Sequence, residues 1–318
     1  MSDYLKVARI DHWLKNVFIL FGHVVAVALP LALRVDGEIL ALVALSFIPA
    51  CLLASANYIL NEILDAPYDR LHPTKKDRPV AAGRVKTGPP WIMFVVLAAL
   101  AFFLGHLWFE NRGYLVSLFL LFLSGLLYNL PPLRLKDRAF LDVIAESFNN
   151  PVRLWLGWYA LVPGPEPPPL SITLAWWCLG GLLMTGKRYA EYRFIDKRTL
   201  SGQYRRSFRV YTERSLVIAM VTYANLFCFC SGWAVCRYPQ LQNLALVFPI
   251  VVPAIIAFFR AAICPVGAQL EPEKLLRRPL LLACTILTVI ASGWLLHAGK
   301  TGAFRIGDRF PASVYPGY

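Results

Sequence analysis

Three oxygen-bearing side chains recur at intervals of four residues where a long apolar stretch meets a charged segment: Asn61, Asp65 and Asp69. If the apolar stretch continues as a helix, this spacing places all three on one helix face. The two carboxylates would repel each other there and require a compensating cation. Mg²⁺ prefers one or two carboxylates together with substrate phosphate oxygens, so the pattern predicts a Mg²⁺ site near membrane depth. Pro67 interrupts the pattern and predicts a kink or a helix restart between Asp65 and Asp69.

Cations follow these carboxylates in the next part of the chain: Arg70, Lys75, Lys76 and Arg78. Acidic groups that hold a metal ion, beside cations that bind phosphate oxygens, are the combination expected of a diphosphate site. A solvated acidic helix end, paired with Arg70, Lys75 and Lys76, would have the same composition, and both interpretations stay open at this point. His72 in the same loop is either a proton shuttle or a residue that hydrogen-bonds within its loop.

A second charged cluster begins where a later apolar stretch ends. Lys187 and Glu191 are four residues apart, with Arg188 beside them, so a helix would present Lys187 and Glu191 on one face. These residues either contact a phosphorylated substrate or form a salt-bridged helix at the membrane surface. The basic segment from Tyr204 to Arg214 continues this surface, where lipid headgroups and substrate are equally compatible ligands.

Other polar residues lie at the predicted ends of apolar stretches. Tyr128 and Lys136 flank a Pro-rich turn, and Asp142 enters the next apolar stretch, where it is either a substrate ligand or a helix N-cap. Near the N-terminus, Lys15 and Asn16 could reach a phosphate, although an interfacial anchor would look the same.

A polar stripe runs through one of the apolar stretches. Its members, Glu146, Asn149, Asn150 and Arg153, recur at helical spacing. Such groups are costly in a bilayer and must pair with one another or line a cavity. The stripe is therefore predicted to be either a structural network or the pocket for an acceptor substrate.

The composition excludes an ordinary soluble domain. Of the 318 residues, 58% are hydrophobic, and the mean hydropathy is +0.54. The apolar residues come in runs long enough to cross a hydrocarbon core of ~30 Å at ~1.5 Å per residue. They predict an all-α integral membrane protein with one domain over residues 1–318. The nine predicted spans are 17–33, 39–60, 91–109, 114–130, 143–162, 170–186, 215–235, 243–263 and 280–297.

The distribution of positive charge predicts the orientation. With a cytoplasmic N-terminus, 24 of the 32 Lys and Arg residues fall on the cytoplasmic side and six on the other side. This asymmetry predicts a multi-pass protein of the cell inner membrane, with the N-terminus and the active-site loops in the cytoplasm and the C-terminus outside. No removable signal peptide is expected, because the N-terminal segment is charged and lacks an A-x-A-like cleavage site.

These motifs resemble those of the UbiA prenyltransferase superfamily, intramembrane enzymes built from nine transmembrane helices. The resemblance rests on Asn61-Glu62-x-x-Asp65-x-x-x-Asp69-Arg70, on Arg78-Pro79 and Ala81-Ala82-Gly83, and on the turn from Tyr128 to Lys136. It implies a diphosphate leaving group bound to Mg²⁺ and a long isoprenoid chain that runs between helices. It also implies metal ligands drawn from Asn61, Glu62, Asp65 and Asp69, with Glu62 at a position where Asp is usual.

Within the superfamily, the chain is most similar to the branch typified by decaprenyl-phosphate phosphoribosyltransferase. The similarity rests on Trp13-Leu14-Lys15-Asn16, Asp69-Arg70-x-His72-Pro73 and Lys187-Arg188-x-x-Glu191. It implies phosphoribosyl pyrophosphate as the donor and a polyprenyl phosphate as the acceptor. One alternative is transfer of a prenyl group from a prenyl diphosphate to an aromatic or other small acceptor, a branch whose second DxxxD motif is absent here. The other alternative is a non-enzymatic transporter or lipid-binding protein.

The resemblance and the residue patterns together define an expected transferase site. Its expected catalytic residues are Asp65, Asp69 and Glu191. Its expected substrate-binding residues are Lys15, Asn16, Arg70, Lys75, Lys76, Arg78, Tyr128, Lys136, Asp142, Lys187 and Arg188. The expected partners are an isoprenoid lipid, a phosphorylated donor and the lipid bilayer, with no nucleic acid; the oligomeric state stays open.

Overall fold

A computed structural model describes residues 3–29, 36–70, 75–194, 206–263 and 278–301, together with Phe304. All regular elements in this described part are helical, which confirms the predicted all-α fold. The α-helices are α1 (Asp3–Ala8), α2 (Ile19–Ala28), α3 (Gly37–Asp69), α4 (Gly88–Trp108), α5 (Arg112–Asn129), α6 (Leu141–Leu161), α7 (Leu170–Phe194), α8 (Glu213–Arg237), α9 (Phe248–Ile263) and α10 (Pro279–Thr301). Shorter 3₁₀ segments cover Ile10–Phe18, Lys75–Asp77, Leu135–Asp137, Arg206–Arg209 and Pro239–Val247.

Helical structure occurs in each of the nine stretches predicted to cross a membrane, although residues 30–33 of the first stretch lie outside the described part. Seven helical segments are long and apolar enough to be membrane spans: Asp3–Ala28, Gly37–Asp69, Gly88–Trp108, Arg112–Asn129, Glu213–Arg237, Pro239–Ile263 and Pro279–Gly299. Helices α6 and α7 are 21 and 25 residues long but do not belong to this set. The polar stripe lowers the mean hydropathy of α6.

The helices divide into two compact units, Met1–Pro168 with Ile195–Thr212, and Pro169–Phe194 with Glu213–Tyr318. In the first unit, α3 packs against α4, α5 and α6, and α6 also packs against α2. Fully buried leucines, among them Leu53, Leu60, Leu118 and Leu156, lie in the core of this unit. In the second unit, α7 packs against α8 and α9, and α10 packs against α9.

Of the kink or restart predicted near Pro67, the restart is wrong, because α3 is one continuous helix from Gly37 to Asp69. Pro67 lies in the last turn, with only two helical residues after it. The proline ring therefore removes one backbone hydrogen bond at a point where the helix is about to end. Asp65 and Asp69 consequently lie on the same helix, one turn apart.

Two glycines bring the backbones of α2 and α6 into direct contact. A Cβ atom built on Gly22 would lie 2.0 Å from the carbonyl oxygen of Leu154, and one built on Gly157 would lie 2.1 Å from the carbonyl oxygen of Ile19. Only glycine fits at such separations, as in other closely packed membrane helices. This contact fixes α6, which carries the polar stripe, against the N-terminal helical segment.

We predict that Gly22→Ala destabilises the protein, because the added methyl group must displace the backbone of α6. Overpacking of this kind typically costs about 1–3 kcal/mol. The matched control is Gly232→Ala on α8, where an added Cβ meets no atom within 4 Å and alanine is the better helix former. Thermal unfolding in detergent should show a lower midpoint for Gly22→Ala alone, and equal midpoints for the two variants would contradict the packing.

Candidate active site

Asn61, Asp65 and Asp69 form a polar row on α3, which we call the α3 ridge. Their spacing of one helical turn places them on one face, as the sequence predicts. The Nδ2 group of Asn61 donates to Oδ1 of Asn129 on α5 at 2.7 Å. Asp65 and Asp69 are close enough for their charges to interact unfavourably. The carboxylates of the ridge are therefore stable only beside compensating cations.

Asp65 is held by two cations from the segment between α5 and α6. Oδ1 of Asp65 accepts a hydrogen bond from a terminal nitrogen of Arg134 at 2.8 Å and another from Nζ of Lys136. Lys136 also donates to Oδ1 of Asn129 at 2.8 Å, so it links Asp65 on α3 to Asn129 on α5. Because the ammonium group is almost completely buried, removing either partner would leave an uncompensated charge.

The segment that carries these cations is ordered by its own contacts. Nε of Arg134 donates to Oδ2 of Asp137 at 2.9 Å, and the guanidinium lies 4.8 Å from the centre of the Tyr68 ring. Arg134 has a left-handed backbone conformation, with φ of 31°. Contacts on both sides thus orient its remaining N–H groups toward Asp65.

Asp69 is held by the loop that follows α3. Arg78 donates a hydrogen bond to Oδ2 of Asp69, whose side chain is almost completely buried. Lys75 lies close enough for its charge to attract Asp69. The two carboxylates of the ridge are therefore compensated from two different segments, one after α3 and one after α5.

Glu62 lies beside the ridge, close enough to Asp69 for the two charges to interact unfavourably. Its Oε1 atom accepts the backbone N–H of Val80 at 3.2 Å, and Oε2 lies 3.8 Å from Nε of Arg9. Glu62 precedes Asp69 by seven residues, about two helical turns, so the two side chains point in nearly the same direction. Glu62 thus also contacts the loop that carries Arg78, and its expected role as a metal ligand stays a prediction.

The remaining cations of this loop differ in their surroundings. Arg70 is exposed, and its Nε donates to the carbonyl oxygen of Ala81 at 3.2 Å. Lys76 is exposed in the 3₁₀ turn that also contains Lys75. His72 lies outside the described residues. Among the predicted phosphate ligands of this loop, Arg78 directly contacts a ridge carboxylate.

Asp142 is completely buried at the start of α6. Its Oδ1 atom accepts a hydrogen bond from the hydroxyl of Tyr211, which in turn accepts the backbone N–H of Phe140 at 2.8 Å. Asp142 lies in the first turn of α6, where a carboxylate is favourable beside the helix dipole. Because this side chain is inaccessible, it positions α6 relative to the segment around Tyr211, and substrate contact would require a rearrangement.

The polar stripe and the N-terminal pair form a second network, inside the first unit. Tyr128 donates to Oε2 of Glu146 at 3.1 Å, and Ser124 donates to Oδ1 of Asn149 at 2.6 Å. Asn16 is buried and accepts a hydrogen bond from Nε of Arg153 at 2.9 Å. Lys15 is half-buried, with its Nζ 3.1 Å from Nδ1 of His12. Asn16 and Tyr128 thus contact the polar stripe, a connection that the sequence did not predict.

The second charged cluster lies on α7 in the second unit. A terminal nitrogen of Arg188 donates to Oε2 of Glu191 at 2.9 Å, and both side chains are largely buried. This pair is three residues apart. Tyr189 in the same turn donates to Oε2 of Glu213 on α8 at 3.3 Å.

The α3 ridge has the donor chemistry that Mg²⁺ requires. Hard oxygen ligands from one or two carboxylates suit Mg²⁺, which takes its other ligands from water and phosphate. Within the described residues, no three Asp, Glu, His or Cys side chains are grouped to hold a metal by themselves. The ridge thus fits an ion that binds together with a phosphorylated substrate.

Two cations of this region, Arg134 and Arg9, were not among the predicted site residues. Arg134 stands in the same turn as Lys136, so proximity to that lysine was the available signal. Arg9 precedes the 3₁₀ segment Ile10–Phe18, and nothing local in the sequence indicates its approach to Glu62.

Comparisons with known proteins identify the same family as the sequence motifs. The profile of the UbiA prenyltransferase family matches residues 17–266. A decaprenyl-phosphate phosphoribosyltransferase of Mycobacterium tuberculosis is 29% identical, over 96% of this chain and 95% of that protein. One of the same name from Mycolicibacterium smegmatis is 27% identical, over 95% and 92%.

Solved structures share the fold. A UbiA homologue from Archaeoglobus fulgidus bound to GPP and Mg²⁺ has a TM-score of 0.67 at 16% identity, covering 94% of this chain and all of that one. The homologue bound to DMAPP and Mg²⁺ has a TM-score of 0.65 at 17% identity, covering 94% of this chain and 98% of that one. Since the family profile covers most of the sequence, this chain belongs to the UbiA prenyltransferase family and is a multi-pass membrane transferase.

Proposed function

We propose that this transferase moves a phosphoribosyl group from phosphoribosyl pyrophosphate to a polyprenyl phosphate, with Mg²⁺ as cofactor. The observation that supports this proposal most strongly is the α3 ridge, whose two carboxylates are covered by cations from two separate segments. Such a site suits a substrate that brings both a metal ion and a diphosphate. The names of the two mycobacterial relatives supply the choice of donor and acceptor.

In the proposed reaction, the bond between C1 of ribose and the pyrophosphate oxygen breaks. A new bond forms between C1 and a phosphate oxygen of the lipid, and pyrophosphate leaves with the electron pair of the broken bond. The attacking oxygen is already anionic, so the acceptor needs no general base. The chief task of the protein is therefore to stabilise the negative charge of the leaving group.

Asn61, Asp65 and Asp69 would hold Mg²⁺, which neutralises part of the diphosphate charge when it is bound. Arg78, Arg134 and Lys136, which pair with Asp65 and Asp69 in the structure, are then available to the phosphate oxygens. The carboxylates thus keep these cations in place while no substrate is present. In this exchange of partners, the cations are already oriented before the donor arrives.

The remaining assignments extend the same proposal. We retain Lys15, Lys75, Lys76 and Arg70 as candidate ligands for phosphate groups at the membrane surface. The assignment of Lys187, Arg188 and Glu191 to the donor rests on their sequence motif. The proposed topology is one transferase domain of nine spans in the inner membrane, with the N-terminus and the active-site loops cytoplasmic and the C-terminus outside.

The test is a transfer assay with purified protein in detergent and Mg²⁺. One reaction contains phosphoribosyl pyrophosphate labelled in the ribose and a polyprenyl phosphate; the other contains a labelled prenyl diphosphate and aromatic acids. We expect label to enter the organic phase in the first reaction alone. Transfer in the second reaction alone would establish the prenyltransferase alternative, and silence in both would contradict the proposal.

We predict that Asp65→Asn reduces this activity by about 10²–10³-fold, because the variant loses a charged metal ligand in a site where one electrostatic contact has an effect of this size. Asp77→Asn makes the same chemical change at an exposed carboxylate of the neighbouring loop and serves as the matched control. Equal kcat values for the two variants would contradict the assignment of the ridge.

We also predict that Lys136→Met lowers kcat by about 10²–10³-fold, since the variant removes a buried cation from the leaving group. Arg138→Met changes an exposed cation two residues away and should retain activity. The measurement is kcat at saturating concentrations of both substrates. Activity that survives Lys136→Met would show that this lysine serves only to fix the segment between α5 and α6.

A further inference from the structure

One buried cation of the first unit has neutral partners. Arg153, in the middle of α6, is 9% exposed. Its Nε donates to the side-chain oxygen of Asn16 at 2.9 Å, and one terminal nitrogen donates to the backbone carbonyl of Asn149 at 3.3 Å. A guanidinium has five N–H groups, so three of them have no acceptor among the described residues.

Four other cations near α3, which are partly or largely buried, contact carboxylates. Arg9 lies beside Glu62, Arg78 contacts Asp69, and both Arg134 and Lys136 contact Asp65. The titratable groups whose charge reaches Arg153 are Tyr58 and Cys51, which are uncharged at neutral pH.

The acidic residue on the same helix does not compensate Arg153. Glu146 lies two turns nearer the start of α6 and accepts a hydrogen bond from Tyr128. An arginine in a membrane-spanning region that lacks a counter-ion is strongly unfavourable. Arg153 therefore has the properties of a binding site whose anion comes from a ligand.

The orientation of Arg153 is fixed in advance. Asn16, which accepts its Nε–H group, is itself completely buried and donates to the sulfur of Cys51 at 3.1 Å. The backbone contact between α2 and α6 lies next to this pair, because Gly22 touches Leu154. A planar guanidinium that is fixed along one edge presents its other edge for bidentate binding of a phosphate.

Helix α5 contacts both the residue one turn before Arg153 and the α3 ridge. Ser124 on α5 contacts Asn149 on α6, and one turn farther along α5 Asn129 contacts Asn61 of the ridge. Arg153 lies about 16 Å from Asp142 along the axis of α6, so an anion bound there would be deep inside the unit. A ligand with a phosphate group and an apolar chain is suited to this depth.

We propose that Arg153, held by Asn16, binds a phosphate monoester inside the first unit. This inference rests on the proposed function for the identity of the ester. The proposed reaction has two sources of this group, the headgroup of the polyprenyl phosphate and the 5-phosphate of the donor. In either case Arg153 recognises the dianion by charge and by bidentate geometry.

The test compares wild type with Arg153→Met and Asn16→Asp. Asn16→Asp is nearly isosteric and gives Arg153 an internal carboxylate, so it should fold well and exclude the phosphate. The control is Arg260→Met, an exposed arginine in the apolar helix α9. If Arg153→Met fails to fold, Asn16→Asp and Arg153→Lys, which retains the charge but not the planar fork, provide the test.

The readout is the thermal midpoint with matched ligands, a polyprenyl phosphate against the polyprenol and ribose 5-phosphate against ribose. We expect one phosphorylated ligand to stabilise wild type and Arg260→Met more than its phosphate-free counterpart, and both site variants to lose this difference. Stabilisation by the lipid phosphate would identify the acceptor as the source, and stabilisation by ribose 5-phosphate would identify the donor. No phosphate-dependent difference between wild type and Asn16→Asp would overturn the proposal.

Kinetics separate this inference from the proposed function. We expect Asn16→Asp to raise the KM of one phosphorylated substrate by about tenfold or more, the effect of losing charge-assisted hydrogen bonds. If Asn16→Asp transfers ribose with both KM values unchanged, the phosphate site is overturned and the proposed function stands. A phosphate-dependent stabilisation that Asn16→Asp removes, in a protein that transfers no ribose, would retain the site and overturn the function.

Discussion

The pairing of Asp65 and Asp69 with cations is the interaction on which the first unit depends. Two carboxylates one turn apart on an apolar helix repel each other and lose hydration, so each requires a positive partner. Arg78 reaches Asp69 from the loop after α3, whereas Arg134 and Lys136 reach Asp65 from the segment after α5. The same ion pairs therefore hold two connecting segments against one helix.

Under the proposed function, these pairs would also let the site exchange partners when substrate binds. A metal ion competes for the carboxylates, and a diphosphate competes for the cations. A metal–diphosphate complex supplies both competitors at once, so the proposed exchange leaves neither set of charges without a partner. A metal ion alone would displace buried cations without offering them new acceptors, and this is unfavourable at low dielectric constant.

The spacing of Asn61, Asp65 and Asp69 was enough to predict the α3 ridge, because side chains four residues apart share a face on any helix. The sequence did not predict continuity through Pro67, since the effect of a proline depends on how many helical residues follow it. Glu62 was predicted as a metal ligand from its motif position, but its contacts with Val80 and Arg9 could not be predicted from the sequence.

Contacts between distant segments were the least predictable part of the site. Arg9 and Glu62 are far apart in the sequence, as are Asn16 and Arg153, and no local pattern joins either pair. The stripe on α6 could be recognised as polar from its spacing, but its connection to Asn16 depends on the glycine contact between α2 and α6. Tertiary packing, which the sequence does not display, thus decides which polar groups meet.

Equilibrium binding of labelled pyrophosphate to the purified protein, with Mg²⁺ or with a chelator, tests the central claim most directly. This measurement needs neither donor nor acceptor, and the ridge variants show whether the ridge is required for binding. We predict that pyrophosphate binds only with Mg²⁺, and that Asp65→Asn and Asp69→Asn each abolish the binding. Metal-independent binding that survives in both variants would contradict the claim that the α3 ridge is the diphosphate site.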